Sequence, residues 1–182
     1  MGYRHDHDSL LAEAVAFVRA EGIGSLSFGR LAKRLGIADR TIVYYFPTKT
    51  QLVTEVMQAI SLELLVQLQA AFGDEPREPD DLLDAAWPIV TDPASEPVFR
   101  VFIEASGLAV SGVEPYVSLI KELMAAWHDW LTPLIATSAE DPHDVAALVI
   151  SQIEGLMMVR STGLFGATRS IGGCLLFCVH RL

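Results

Sequence analysis

The side chains best suited to chemistry in this chain stand close together: Arg40, Thr41, Tyr44, Tyr45 and Lys49. On a helix, Arg40 and Thr41 lie four and three residues before Tyr44, so the three share one face. These types suit nucleic acid. Arginine forks onto guanine or grips phosphate, threonine offers a hydroxyl and a methyl, and tyrosine stacks or donates to a phosphate oxygen. Lys49, at the start of a further helix, can hold a phosphate together with spare backbone N–H groups. Other reactive types are scattered. His5, Asp6, His7 and Asp8 are ligand types at close spacing, but they sit in an N-terminal tail. Cys174 and Cys178, at i and i+4, read as two small apolar side chains and not as a disulfide framework. Glu104, His128 and Glu154 form a catalytic set only if folding gathers them. No glycine-rich phosphate loop, HExxH or GxSxG run is present. No catalytic residue, metal site or cofactor is therefore assigned, and the chain is not read as an enzyme.

The element that must position Arg40 to Lys49 is a corner of two short helices. The first fits Ser27 to Leu35, with Phe28, Leu31, Ala32 and Leu35 at i, i+3, i+4 and i+7. Ser27 is a candidate cap for it. Gly36 can take the left-handed conformation that ends it, and Ile37 can plug the angle. The second fits Asp39 to Phe46, with Ile42, Tyr45 and Phe46 able to turn inward. This is helix-turn-helix geometry, whose second helix can enter a major groove. A helix from Asp8 to Glu21 precedes it, with Leu11, Val15 and Val18 as its apolar stripe and Gly22 as its stop. After Pro47, Thr48 and Gln51 read as a reciprocal capping box. A stripe of Leu52, Val56, Met57, Ile60, Leu64 and Leu68 then runs to about Phe72.

Beyond an acidic, proline-containing loop at Gly73 to Pro79, helical spacing continues. The expected helices are about Asp80–Thr91, Glu96–Val110, Pro115–Leu134, Asp141–Thr162 and Ala167–Leu182. Pro97, Pro115 and Pro142 sit at starts, where first-turn N–H groups are spare. Pro88 and Pro133 should kink or stop their helices. No alternating strand pattern occurs, so the fold class is all-α.

The charge is divided. The whole chain carries −10. Between residues 28 and 49, Arg30, Lys33, Arg34, Arg40 and Lys49 face only Asp39, which leaves +4. Residues 51 to 182 hold 6 basic against 18 acidic side chains, which leaves −12. DNA attracts the first region and is repelled by the second, and this fixes docking orientation. The mean hydropathy of +0.36 points to apolar surface beyond an ordinary core: a dimer interface, a ligand cavity, or both. The most apolar long stretch, Val145 to Val159, is interrupted by Ser151, Gln152, Glu154 and Gly155, so no membrane span is expected. The N-terminal residues lack the apolar core of a secretory signal, and the expected compartment is the cytoplasm.

The segment from Ser27 to Lys49 resembles the DNA-binding head of the tetracycline-repressor (TetR) family. At the positions of the family pattern this sequence supplies Gly36, Ile37, Ala38, Thr41, Ile42, Val43, Tyr44, Tyr45, Phe46, Lys49 and Leu52, in register across three helix boundaries. The likeness covers about Leu10 to Met57. Three positions depart: Ala38 replaces the usual Ser or Thr, Val43 a Tyr that commonly touches phosphate, and Tyr45 a His. The cap of the recognition helix is then expected from Asp39 or elsewhere.

The resemblance implies a DNA-binding domain at residues 1–50, with Ser27, Arg40, Thr41, Tyr44, Tyr45 and Lys49 as contacts. It implies a ligand-binding and dimerisation domain at 51–182, with helix four, about 48–72, bridging both. Trp87, Phe99, Phe102, Ile103, Glu104, Met124, Trp127, Gln152 and Met157 are the candidate ligand-binding residues, apolar walls with a few polar groups. The implied partners are double-stranded DNA bearing a pseudo-palindrome, a small-molecule effector and a second copy of the chain, with no membrane. Gly155, in mid-helix, would permit close helix approach in that homodimer. The expected activity is sequence-specific transcriptional regulation, a repressor released by a small, largely apolar ligand. The competing readings are a helical ligand-binding or interaction protein with a degenerate helix-turn-helix, and a small helical enzyme.

Overall fold

The computed structural model describes residues 6–138 and 140–162. Among them the chain forms eight α-helices and two 3-10 turns, with no strand. The helices are α1 (His7–Glu21), α2 (Phe28–Leu35), α3 (Asp39–Tyr45), α4 (Lys49–Phe72), α5 (Pro79–Thr91), α6 (Glu96–Val110), α7 (Tyr116–Leu131) and α8 (Pro142–Ser161). The all-α expectation holds. The expected helix Ala167–Leu182, with Cys174 and Cys178, lies outside the described residues.

Local chemistry explains most boundaries. Asp6 caps α1 and exchanges hydrogen bonds with Ser9 in a full capping box, so the helix starts a residue earlier than the apolar stripe suggested. The stripe itself is shifted: Leu10, Ala14, Phe17 and Val18 are buried, whereas Leu11 and Val15 are only half-buried. Ser27 accepts from the Arg30 N–H at 3.3 Å to open α2, and Gly36, at φ 67°, closes it. At α4 the box is half-made. The Gln51 N–H donates to Thr48 Oγ1 at 3.1 Å, but the Gln51 side chain donates forward to Glu55 and not back to residue 48. The α4 stripe is fully borne out, since Leu52, Val56, Met57, Ile60, Leu64 and Leu68 are all buried.

The prolines divide by position. Pro79 and Pro142 stand in the first turns of α5 and α8, where no N–H is required. Pro88 lies inside α5, which continues to Thr91, so it does not stop the helix. Pro133 falls in the 3-10 turn Thr132–Leu134 that follows α7.

The chain forms two compact units. One comprises residues up to Leu64 with Pro97–Leu123; the other comprises Leu65–Glu96 with residues from Met124 onward. In the first, Leu10, Ala14, Val18, Ile23, Leu26, Leu31, Ile42 and Phe46 lose all solvent contact, so the small three-helix head has a complete core. In the second, α5 packs against α8. The Arg160 guanidinium reaches across to the Val90 carbonyl there. Phe72 stacks on Trp130 with centroids 5.6 Å apart, and Trp127 meets Trp130 edge-on. A single bridge of backbone bonds ties Arg77 to Leu134 and Ala136. No helix among the described residues is long and apolar enough to cross a membrane.

Candidate functional site

The α2–α3 corner is held from beneath by Leu31, Ala32 and Ile42, all at 0% exposure. With these side chains turned in, the opposite face of α3 must turn out. Arg40 is exposed, Val43 is 40% exposed and Tyr44 78% exposed. Thr41 and Tyr45 are half-buried. The Tyr44 and Tyr45 rings meet edge to face at 5.0 Å, so each limits the other's rotamers. Lys49 is exposed as the first residue of α4. The corner therefore presents Arg40, Tyr44 and Lys49 to solvent together, while Ser27 is spent on the α2 cap.

Val43, which stands where the resemblance puts a phosphate-touching Tyr, is likewise at the surface. It lies at i+3 from Arg40 and beside Tyr44, and an exposed isopropyl group on such a face is suited to the methyl of thymine. The cap of α3 differs from expectation. Ala38 makes no side-chain cap, and Asp39 is the first helical residue. Only the Thr41 N–H returns to the Ala38 carbonyl, at 2.9 Å.

The neighbouring cations are not equivalent. Arg34 bonds Glu21 at 3.1 Å and lies 5.6 Å over the Phe17 ring, which ties it to α1. Arg30 reaches the Ser25 carbonyl and keeps its charge uncompensated. Lys33 is exposed.

The candidate ligand-binding residues divide between the two units. Phe99, Phe102, Ile103 and Glu104 lie on α6 in the first, Phe99 and Phe102 buried and Ile103 half-buried. Trp87, Met124, Trp127, Gln152 and Met157 belong to the second, and all five are half-buried. Glu104 has a use that its sequence position did not signal. Its Oε2 accepts from the Ile23 N–H at 2.8 Å and its Oε1 from the Gly24 N–H at 3.0 Å. Both oxygens thus serve the loop between α1 and α2. Burial, and behind it the Glu104 carboxylate, push the Tyr116 phenol above its ordinary value of 10.0.

Of the three residues that would be catalytic only if folding gathered them, Glu104 belongs to the first unit and His128 and Glu154 to the second. His128 Nε2 donates to the His143 carbonyl at 2.9 Å. His7 bonds Glu55 at 2.8 Å and packs on Phe46, and Asp6 caps α1, so these two side chains seat the helix, while His5 lies outside the described residues. Among the described residues, no group of three or more His, Cys, Asp or Glu side chains is arranged to hold a metal.

Comparison with known proteins agrees with this geometry. The family model described as bacterial regulatory proteins, tetR family, matches residues 10–56. A transcriptional regulator from Rhodococcus sp. Rha1 superposes with a TM-score of 0.71 at 20% identity, over 88% of this chain and 87% of that one. A TetR transcriptional regulator from Legionella pneumophila gives 0.61 at 22% identity, over 90% and 91%. A protein from Saccharomonospora viridis, assigned as a transcriptional regulator and solved in complex with choline, gives 0.70 at 17% identity, over 89% and 88%. No curated protein matches the chain. Residues 10–56 match the model of the tetR family of bacterial regulatory proteins, and the chain as a whole has the fold of these solved transcriptional regulators.

Proposed function

We propose that the protein is a cytoplasmic, sequence-specific transcriptional repressor that binds DNA as a homodimer and is released by a small, largely apolar ligand. In this reading residues 1–50 are the DNA-binding domain and residues 51–182 bind ligand and dimerise. The observation that carries it is the outward face of α3, where Arg40, Val43 and Tyr44 are exposed above a closed core with Lys49 beside them. Arg40 reads a base edge or grips phosphate, Tyr44 stacks or donates, and Lys49 clamps the backbone. Thr41 and Tyr45 contact from the margins, and Ser27 fixes the start of α2.

Dimerisation is assigned to α8 and the residues after it. Ala147, Leu148, Ser151, Gly155 and Met158 recur at helical spacing and are exposed, Leu148 by 50% and Met158 by 61%. A two-fold pair of heads would face successive major grooves and select a pseudo-palindrome. Release follows if the ligand prefers the body conformation whose heads are wrongly spaced, and it can shift the balance only by that preference. The S. viridis protein, which holds choline on a similar fold, supports a small-molecule effector.

The test is selection of bound sequences from a random duplex pool at near-physiological salt. A recovered pseudo-palindrome, with affinity falling steeply as salt rises, is the expected result. Recovery of nothing by folded protein would sink the reading in favour of a helical ligand-binding protein.

A further inference from the structure

The loop between α1 and α2 is built around a carboxylate that comes from 80 residues away. Ile23 and Leu26 are fully buried, yet the Ile23 and Gly24 N–H groups find no carbonyl of their own loop and donate to Glu104 on α6 instead. The two glycines flanking Ile23 make room for it. A Cβ at Gly22 would stand 2.5 Å from Glu104 Oε2, and one at Gly24 2.7 Å from Oε1. One turn earlier on α6, the Arg100 guanidinium donates to the Arg19 carbonyl in the last turn of α1. That carbonyl end of α1 is the electronegative pole of the helix, and the paired loop amides are donors. A cation and an anion spaced four apart on α6 thus meet a carbonyl and two amides of the head, each with the complementary sign.

Resting on the functional reading above, we propose that Glu104 is a positioning residue for DNA binding: its carboxylate fixes the α1–α2 loop on α6 and thereby sets the angle at which the α2–α3 corner meets a duplex. Glu104 touches no DNA in this arrangement. It acts through Ile23 and Gly24, whose loop leads directly into the Ser27 cap of α2. With the carboxylate removed, the loop amides turn to water and the head samples several angles, so only a fraction of molecules is competent at any moment. Apparent affinity falls by that fraction.

The experiment measures affinity for the selected operator with full-length Glu104→Ala, Gly24→Ala and the double variant, with the folded fraction of each checked by circular dichroism. Gly24 is not at positive φ, so its alanine acts through the 2.7 Å approach to Oε1 and not through backbone strain. Each single variant is expected to bind roughly tenfold more weakly, the scale of one charge-assisted hydrogen bond. The double variant should be no weaker than Glu104→Ala alone, because the new methyl then meets nothing. The salt slope should stay unchanged, since no phosphate contact is lost. Wild-type affinity in folded Glu104→Ala, or additive losses in the double variant, would overturn the proposal. Absence of operator binding by the wild type would overturn the functional reading and the proposal with it.

Discussion

The head and α8 spend their apolar residues in opposite ways. In the head, Leu31, Ala32, Ile42 and Phe46 of the α2–α3 corner reach 0% exposure, and apart from Val43 what is exposed on α3 is polar or aromatic with a handle. Along α8, Val145, Ala146 and Val149 are buried, but Leu148 and Met158 stay open beside Gly155. A short module that closes its own core can present a defined chemical face. On the proposed reading, a long helix that leaves apolar groups outside is arranged for a second copy of the chain. The difference would then separate DNA contact from assembly, and substitutions can test it from each side.

The largest effect is expected at Phe46, fully buried where α3 gives way to α4. Phe46→Ala should destabilise the head by about 3–5 kcal/mol, read as a lowered denaturation midpoint. A change below about 1 kcal/mol would mean that the head core tolerates a cavity and is not the closed unit described. Next come the exposed cations. Arg40→Ala should cost about 1–3 kcal/mol on the preferred operator and relax base preference, whereas Lys49→Ala should weaken all sequences alike and reduce the salt slope by about one. Equal behaviour of the two variants in a binding titration would erase the distinction between reading and gripping.

On α8 the expected sign is reversed. Among the described residues nothing outside the helix's own backbone lies within 4 Å of a Cβ built at Gly155, so a Cβ there meets no neighbour among them. Gly155→Leu should keep or raise helix stability, by up to about 1 kcal/mol, while dissociating the dimer in sedimentation at low concentration. An intact dimer would remove Gly155 from the interface. The smallest effect concerns Tyr116, whose phenol burial and Glu104 hold above 10.0. A raised folded-state value means stability that is complete below about pH 10 and is lost as pH rises through the raised value. Tyr116→Phe should therefore lose less thermal stability than wild type between about pH 9 and about pH 11. Parallel loss in both would contradict the assigned environment.

Much of this was legible in residue types and spacing. The stop glycines Gly22 and Gly36, the Ser27 cap and the α4 stripe are local features with local causes, and they fall where helix chemistry puts them. The α1 stripe was misplaced because Leu10 and Leu11 are adjacent. With apolar residues on both possible faces, only packing against the rest of the head decides that Leu10, Ala14 and Phe17 turn in. The half-made box at α4 has a similar origin, since Glu55 offers Gln51 a charged acceptor one turn ahead. Glu104 was visible only as a polar residue among apolar ones. Its partners are backbone amides, which carry no side-chain signature, and the closely spaced Gly22 and Gly24 were the one trace of them. The chemical face was legible in Arg40 and Tyr44 of α3 and Lys49 of α4, and the exposure of Val43 agrees with its standing where the resemblance puts a phosphate-touching Tyr.

The ion pair between Arg34 and Glu21 has a quantitative consequence for binding thermodynamics. A basic side chain already neutralised by its own protein has no condensed cation to displace from a duplex. Of the five cations in the corner, Arg34 is taken in this way and Arg40 is assigned to base reading, which leaves Arg30, Lys33 and Lys49 to exchange with the ion atmosphere. Each head that docks should then contribute a slope of about −3 to the logarithm of the association constant against the logarithm of salt concentration. Releasing Arg34 by Glu21→Gln should steepen that slope by about one.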